Sequence, residues 1–178
     1  GDYSCSSIYR EEKPKLALGF TYDYNDRAVK TRSNQGSYMI DDSGDNEDGF
    51  FHSTTTTFFA DMMFKYQGFS FMGEYAYRNG DKVELISSDS LSSATIGAGT
   101  GLNLNAGYLF KNNIELAVRY TSIQPLKVLG DDLTSQYTFG VSKYFVGHAL
   151  KIQTDVSYTA TENNPSKALM YRLQVDIH

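Results

Sequence analysis

Residues 114–120 read Ile-Glu-Leu-Ala-Val-Arg-Tyr, in which the even-numbered positions are all apolar or aromatic. The odd-numbered positions carry Glu115, Ala117 and Arg119. Successive side chains of a β-strand point to opposite faces, so this alternation separates an apolar face from a charged one. The stretch therefore predicts a strand rather than a helix.

Seven further runs repeat the alternation. They cover residues 15–25, 54–66, 69–78, 102–110, 136–142, 150–158 and 169–178. The apolar faces are rich in aromatic residues, and the chain holds 14 Tyr and 11 Phe but no Trp. Alternating segments about ten residues long, with aromatic residues near their ends, are typical of strands in outer-membrane β-barrels.

The connections between the runs alternate between short and long. We predict short turns at Gln67-Gly68, at Lys111-Asn112-Asn113 and at residues 146–149, the first being a strong hairpin signal. Long external loops are predicted at residues 26–53, 79–100, 122–132 and 161–167. Short turns on one rim and long loops on the other fit a membrane barrel. The prediction is an all-β fold: a polar segment at residues 1–14 and an antiparallel transmembrane β-barrel at residues 15–178, with eight strands visible.

Composition excludes other classes of protein. A formal net charge of −5 disfavours a nucleic-acid partner. No apolar stretch approaches the roughly 20 residues of a transmembrane helix. The three prolines, Pro14, Pro125 and Pro165, all fall outside the predicted strands. Because the chain opens on Gly1 and has no secretory segment, we expect a mature, truncated or partial protein.

The inward faces of the predicted barrel carry a nearly balanced set of charges. The residues are Asp23, Asp61, Lys65, Glu74, Arg78, Glu115, Arg119, Lys151, Asp155, Arg172 and Asp176. These charges could form the wall of a channel that a solute passes. Alternatively, they could form a paired ion network that fills a narrow barrel. Opposite charges four residues apart on one strand are separated by roughly 13 Å, so we expect partners on neighbouring strands.

Other candidate sites have weaker signals. The acidic run at residues 41–48 could bind calcium, but its spacing is not that of an EF-hand and favours a solvated loop. His52, His148 and His178 lie at a loop edge, a turn and the chain end, without an acid and a nucleophile beside them.

Cys5 is the only cysteine, so no disulfide forms within the chain, and we interpret it as an inert thiol. We expect no enzyme activity, no cofactor and no metal site.

Five stretches resemble the phosphate-selective porin O and P family of Bacteroidetes-type bacteria. They are KPKLALGFTYDYND (13–26), TFFADMMFKYQGFSFMGEYA (57–76), GLNLNAGYLFKN (101–112), QYTFGVSKY (136–144) and LMYRLQVDIH (169–178). The resemblance implies the C-terminal eight strands of a porin of about sixteen strands in the Gram-negative cell outer membrane. It also implies contact with outer-membrane lipid, a homotrimer, and passive diffusion of small hydrophilic solutes, including anions such as phosphate.

The competing functions require different structures of the same strands. A diffusion porin, or the C-terminal part of one, needs a hydrated lumen and conducts ions. A small closed eight-strand barrel is largely filled by side chains, and would be structural or bind a partner through its loops. A native subunit mass near that of this chain favours the closed barrel, and one near twice that favours the porin. A soluble lipocalin-type barrel requires the reverse polarity, which the outward aromatic rows disfavour, and a membrane enzyme lacks a catalytic constellation.

Overall fold

The computed structural model describes residues 6–32, 34–130, 132–147, 149–164 and 167–177. Within these ranges the chain is almost entirely β-structure, with a single-turn 3-10 helix at Lys127–Leu129. The strands are β1 (Lys15–Ala28), β2 (Lys30–Arg32), β3 (Gln35–Tyr38), β4 (Ser53–Tyr66), β5 (Phe69–Gly80), β6 (Glu84–Ile86), β7 (Ser93–Thr95), β8 (Gly99–Leu109), β9 (Ile114–Pro125), β10 (Thr134–Val146), β11 (Leu150–Thr161) and β12 (Lys167–Ile177). None of the helical structure in these ranges is long and apolar enough to cross a membrane.

Eight strands form one antiparallel sheet in the order β1-β4-β5-β8-β9-β10-β11-β12. They correspond to the eight alternating runs, so the predicted all-β antiparallel fold is confirmed. Each strand pairs with the sheet strand next to it along the chain, as in a meander. β1 and β12 are the two edges, and no ladder joins them over the described residues. The described chain is thus an open eight-strand sheet.

The short turns lie where the sequence predicts them. β4 and β5 are joined by Gln67 and Gly68, whose φ angles are 47° and 92°. Two consecutive positive φ values are what a type I′ hairpin turn requires, and glycine adopts them without a steric penalty. The other two short connections are residues 110–113 and residues 147–149.

The strands run further towards the long connections than the alternation indicates. β1 continues to Ala28, which pairs with Ser53, and β9 continues to Pro125, which pairs with Gly99. The sequence places Pro125 outside the strands, whereas the structure makes it the last residue of β9. At a strand end the missing amide of proline interrupts no further part of the ladder, so the residue is tolerated there.

Two of the predicted loops contain folded hairpins. β2 pairs with β3 in the first long connection, and β6 pairs with β7 in the second. Met39, Phe51, Leu85 and Ile96 from these connections form a buried cluster, each at most 6% exposed. We call residues 30–51 and 83–96 together the loop cap. Its core lies at one end of the sheet, beyond the strands.

The two faces of the large sheet have a polarity opposite to that of a soluble protein. On β4 the apolar face leaves Phe58 and Met62 each 37% exposed, whereas Thr57 and Lys65 of the polar face are 2% and 1% exposed. The same face of β1 exposes Phe20 to 72%. Burial on the polar face of β4 is concentrated towards its two ends, whereas Phe58, Met62 and Tyr66 leave the apolar face exposed along its length.

Aromatic residues mark both ends of the apolar face on three strands. The pairs are Phe58 and Tyr66 on β4, Phe69 and Tyr77 on β5, and Tyr137 and Phe145 on β10. The two members of each pair are eight residues apart in number, which is roughly 26 Å along a strand. This spacing is of the same order as the apolar band of outer-membrane barrels, about 25 Å tall between two aromatic girdles.

Candidate functional site

The candidate site is the polar face of the large sheet. Residues directly opposite each other in an antiparallel ladder share a face, and the register shows which side chains lie together. One face carries every charged residue that the sequence predicts to point inward: Asp23, Asp61, Lys65, Glu74, Arg78, Glu115, Arg119, Lys151, Asp155, Arg172 and Asp176.

Two ion pairs link β11 to β12. Arg172 Nη2 and Nε lie 2.7 Å and 2.8 Å from Asp155 Oδ2, and Asp155 is 6% exposed. Lys151 Nζ lies 3.1 Å from Asp176 Oδ2. Both pairs join neighbouring strands, as the spacing along a strand predicts. Arg172 compensates the burial of Asp155, because a buried carboxylate without a partner would be costly.

The two charged side chains of β9, Glu115 and Arg119, have neutral partners. Tyr144 on β10 donates its hydroxyl to Glu115 Oε2 at 2.6 Å, and both side chains are buried. Arg119 Nη2 approaches Thr138 Oγ1 at 3.5 Å, while its Nε is buried without a hydrogen-bond partner in the structure as described. Glu115 and Arg119 therefore form no ion pair with each other. A fully paired ion network does not describe this part of the face.

Two carboxylates with no ion-pair partner among the described residues lie in the middle of the polar face. Asp61 on β4 stands directly opposite Glu74 on β5, and both are exposed. Asn103 Nδ2 donates to Glu74 Oε2 at 2.7 Å, and Thr121 Oγ1 donates to Asn103 Oδ1 at 3.2 Å. Like charges directly opposite are unfavourable, and exposure to water reduces their repulsion. A cleft of about 450 Å³ borders these residues and Gly19.

The end of the polar face nearest the loop cap carries charges of both signs. Arg78 Nε donates to Thr57 Oγ1 at 3.0 Å, and Asp23 lies opposite Thr57 on the other side. A second cleft of about 450 Å³ is lined there by Arg78 together with Arg32 and Gln124. The structure thus brings the predicted charges onto one face, where only part of them form ion pairs.

The opposite end of the polar face, at the short turns, is covered by the N-terminal segment. Lys65 Nζ donates to the carbonyl oxygen of Ser6 at 2.9 Å, and Lys65 is 1% exposed. Ser7 and Glu11 are also buried, at 0% and 7%. We call residues 6–13 the strap. Sequence reasoning treats this segment only as polar, because no periodic pattern marks a segment that packs through single residues.

The acidic run of the first long connection makes local hydrogen bonds. Asp41 accepts from the amide of Ser43 at 3.1 Å and from Asn46 Nδ2 at 2.6 Å, and Asp48 Oδ2 lies 2.8 Å from His52 Nε2. No group of three or more potential metal-ligating side chains occurs in the described part of the chain. Cys5, His148 and His178 lie outside the described residues.

Asp45 joins the two halves of the loop cap and should make their contact depend on pH. Its carboxylate accepts from the Ser88 hydroxyl at 2.7 Å and from the Ser88 amide at 2.6 Å, and these bonds hold the pKa of Asp45 below its ordinary value of 3.8. A lowered pKa stabilises the contact above pH 3.8, and the stabilisation is lost as the pH falls through the lowered value.

We expect the NMR shift of the Ser88 amide proton to be constant at neutral pH and to move towards its free value below pH 3.8. Asp45→Asn removes the titrating group, so the acid transition should disappear. Asp42→Asn is the matched control, because exposed Asp42 makes no hydrogen bond to Ser88. An unchanged acid transition in Asp45→Asn contradicts this assignment.

No protein-family model, curated protein or solved structure matches this chain. Apolar residues within the polar loops, such as Met39 in Tyr38-Met39-Ile40 and the single Ile96, are the signal that could have indicated the loop cap.

Proposed function

We propose that this chain forms all or part of the wall of an outer-membrane β-barrel porin through which small hydrophilic solutes diffuse. The observation that carries the proposal is the polarity of the large sheet, which exposes apolar side chains on one face and gathers the charged side chains on the other. Water would disfavour such an apolar surface, whereas lipid accommodates it. The aromatic residues at both ends of the apolar face support a position across a bilayer.

The connections support the same proposal. Three short turns lie at one end of the sheet, and the folded loop cap lies at the other. Bacterial outer-membrane barrels have short periplasmic turns and longer extracellular loops. We therefore place the short turns towards the periplasm of a Gram-negative cell and the loop cap outside.

The charges on the polar face would determine whether anions or cations pass more readily. Arg78 and Arg119 have no carboxylate partner among the described residues, which favours small anions such as phosphate. Asp61 and Glu74 in the central cleft oppose anions. The reversal potential in a salt gradient measures the balance between these two effects.

The test is single-channel recording from the purified full-length protein in planar lipid bilayers. The proposal predicts stepwise, lasting increases in current, because the polar face would line a hydrated lumen. Absence of any current from protein that has inserted contradicts the porin proposal. That outcome favours the second candidate, a small closed barrel with a structural or binding role, to which the folded and partly apolar loop cap also points.

A further inference from the structure

The polar face of β4 is buried at both ends and open in the middle. Thr55 at the loop end and Lys65 at the short-turn end are each 1% exposed, whereas Phe59 between them is 43% exposed. Asp61 in the middle is exposed as well. The inner wall of an unobstructed passage would be similarly exposed along its length. Each end of this face is therefore covered by another part of the chain.

The loop cap covers one end. Ser53, the first residue of β4, contacts the two residues that precede the second part of the cap: its hydroxyl oxygen lies 2.9 Å from Asp81 Oδ1 and 2.8 Å from the carbonyl oxygen of Lys82, and its single hydrogen is shared between them. The side chain of Ile96 lies over Gly80, and its Cδ1 occupies the space that a Cβ on that glycine would need. The second long connection thus packs directly onto the ends of β4 and β5.

The strap covers the other end through contacts with three places. Lys65 binds the Ser6 carbonyl oxygen on the polar face of β4. The β4–β5 turn donates two backbone amides, from Gln67 to the Glu11 carbonyl oxygen at 3.1 Å and from Gly68 to Ser7 Oγ at 3.3 Å. Arg10 donates from its guanidinium to the Phe110 carbonyl oxygen, just beyond the end of β8. The strap therefore spans from β4 to the β8–β9 turn.

Internal contacts fix the shape of the strap. Ser7 Oγ donates to Glu11 Oε2 at 3.0 Å, and the Arg10 amide donates to the Ser7 carbonyl oxygen at 3.1 Å. A carboxylate is buried only where hydrogen bonds replace its water, so the burial of Glu11 indicates a specific packed arrangement. A solvated tail would leave Glu11 as exposed as its neighbour Glu12.

We propose that the strap is a fixed constriction at the short-turn rim of the passage, with Ser7 and Glu11 as the side chains that hold it in place. This inference rests on the proposed porin function. A solute that passes the loop cap reaches the central cleft beside Asp61 and Glu74, and then meets the strap before it can leave. The strap, rather than the width of the sheet, then limits the conductance.

The experiment compares Glu11→Ala with Glu12→Ala in the full-length protein. Both variants remove one carboxylate from adjacent positions, but only Glu11 is buried and accepts from Ser7. Amide hydrogen exchange measures whether the strap is docked, and single-channel conductance measures passage. Ser7→Ala is the second variant, because it removes the bond to Glu11 and the bond from Gly68 without altering the charge.

We expect exchange of the Gln67 and Gly68 amides to become roughly tenfold faster in Glu11→Ala and Ser7→Ala, since each loses a buried hydrogen bond. The conductance of both variants should exceed that of the parent, and Glu12→Ala should match the parent in both measurements. Faster exchange with unchanged conductance would mean that the strap is docked but does not limit passage, which contradicts the constriction. Unchanged exchange contradicts the docked strap, and absence of current from the parent contradicts the porin proposal on which the inference rests.

Discussion

Replacing Met62 by arginine should destabilise the protein in lipid by about 2–4 kcal/mol, although Met62 is 37% exposed. Met62 lies on the apolar face of β4, midway between Phe58 and Tyr66. In a water-exposed face such a substitution would change the stability by no more than about 0.5 kcal/mol. In a lipid-facing strand the guanidinium would sit near the bilayer midplane, where its desolvation is most costly.

Met63→Arg is the matched control, because it changes the same residue type at the adjacent position on the opposite face. Asp61 lies two residues away on the same face as Met63, and Glu74 stands opposite Asp61, so both would attract the new positive charge. Denaturant unfolding of the protein in lipid vesicles compares the free energies of unfolding. Equal effects of the two substitutions, or a larger effect of Met63→Arg, would mean that the apolar face does not contact lipid.

Replacing Ile96 by alanine should cost about 2–5 kcal/mol of local stability in the loop cap. Ile96 is 1% exposed and packs with Met39, Phe51 and Leu85, so the shorter side chain leaves a cavity in the only apolar core that these two connections share among the described residues. The loss should appear as faster hydrogen exchange of the Ile96 amide, which donates to the Val83 carbonyl oxygen at 3.0 Å.

Ile86→Ala provides the control in the same hairpin, because Ile86 is 64% exposed. It should change the exchange rates little, since a surface substitution typically shifts stability by less than about 0.5 kcal/mol. Amides in the middle of β4 and β5 should keep their protection in both variants, because their ladder is independent of the cap. Equal losses in Ile96→Ala and Ile86→Ala would contradict a packed loop cap.

The large sheet was predictable from sequence because each of its strands carries its own signal. A run such as residues 114–120 alternates over enough residues to define two faces, and the partners of its strand β9 are the neighbouring strands of the sheet along the chain. The turn at Gln67 and Gly68 likewise depends on adjacent residues alone. Local patterns of this kind need no knowledge of the tertiary fold.

The loop cap and the strap could not be predicted in the same way. β2 has three residues and β3 four, too few for an alternating pattern, and the cap core joins Met39 to the distant Ile96. Glu11 is buried because Lys65, Gln67 and Gly68 stand near the strap, and nothing near Glu11 in the sequence indicates this. Such contacts depend on how the sheet brings remote segments together.

The lipid-facing surface is tested most directly by spin labels attached at Met62→Cys and Met63→Cys in a Cys5→Ser background, with the protein in lipid vesicles. We expect the label at residue 62 to relax faster with oxygen, which partitions into lipid, and to be shielded from a water-soluble nickel complex. The label at residue 63 should show the opposite preference, since it lies on the same face as Asp61 and Glu74. Equal access of the nickel complex to both labels, or the reverse preference, would contradict a lipid-facing apolar surface around an aqueous interior.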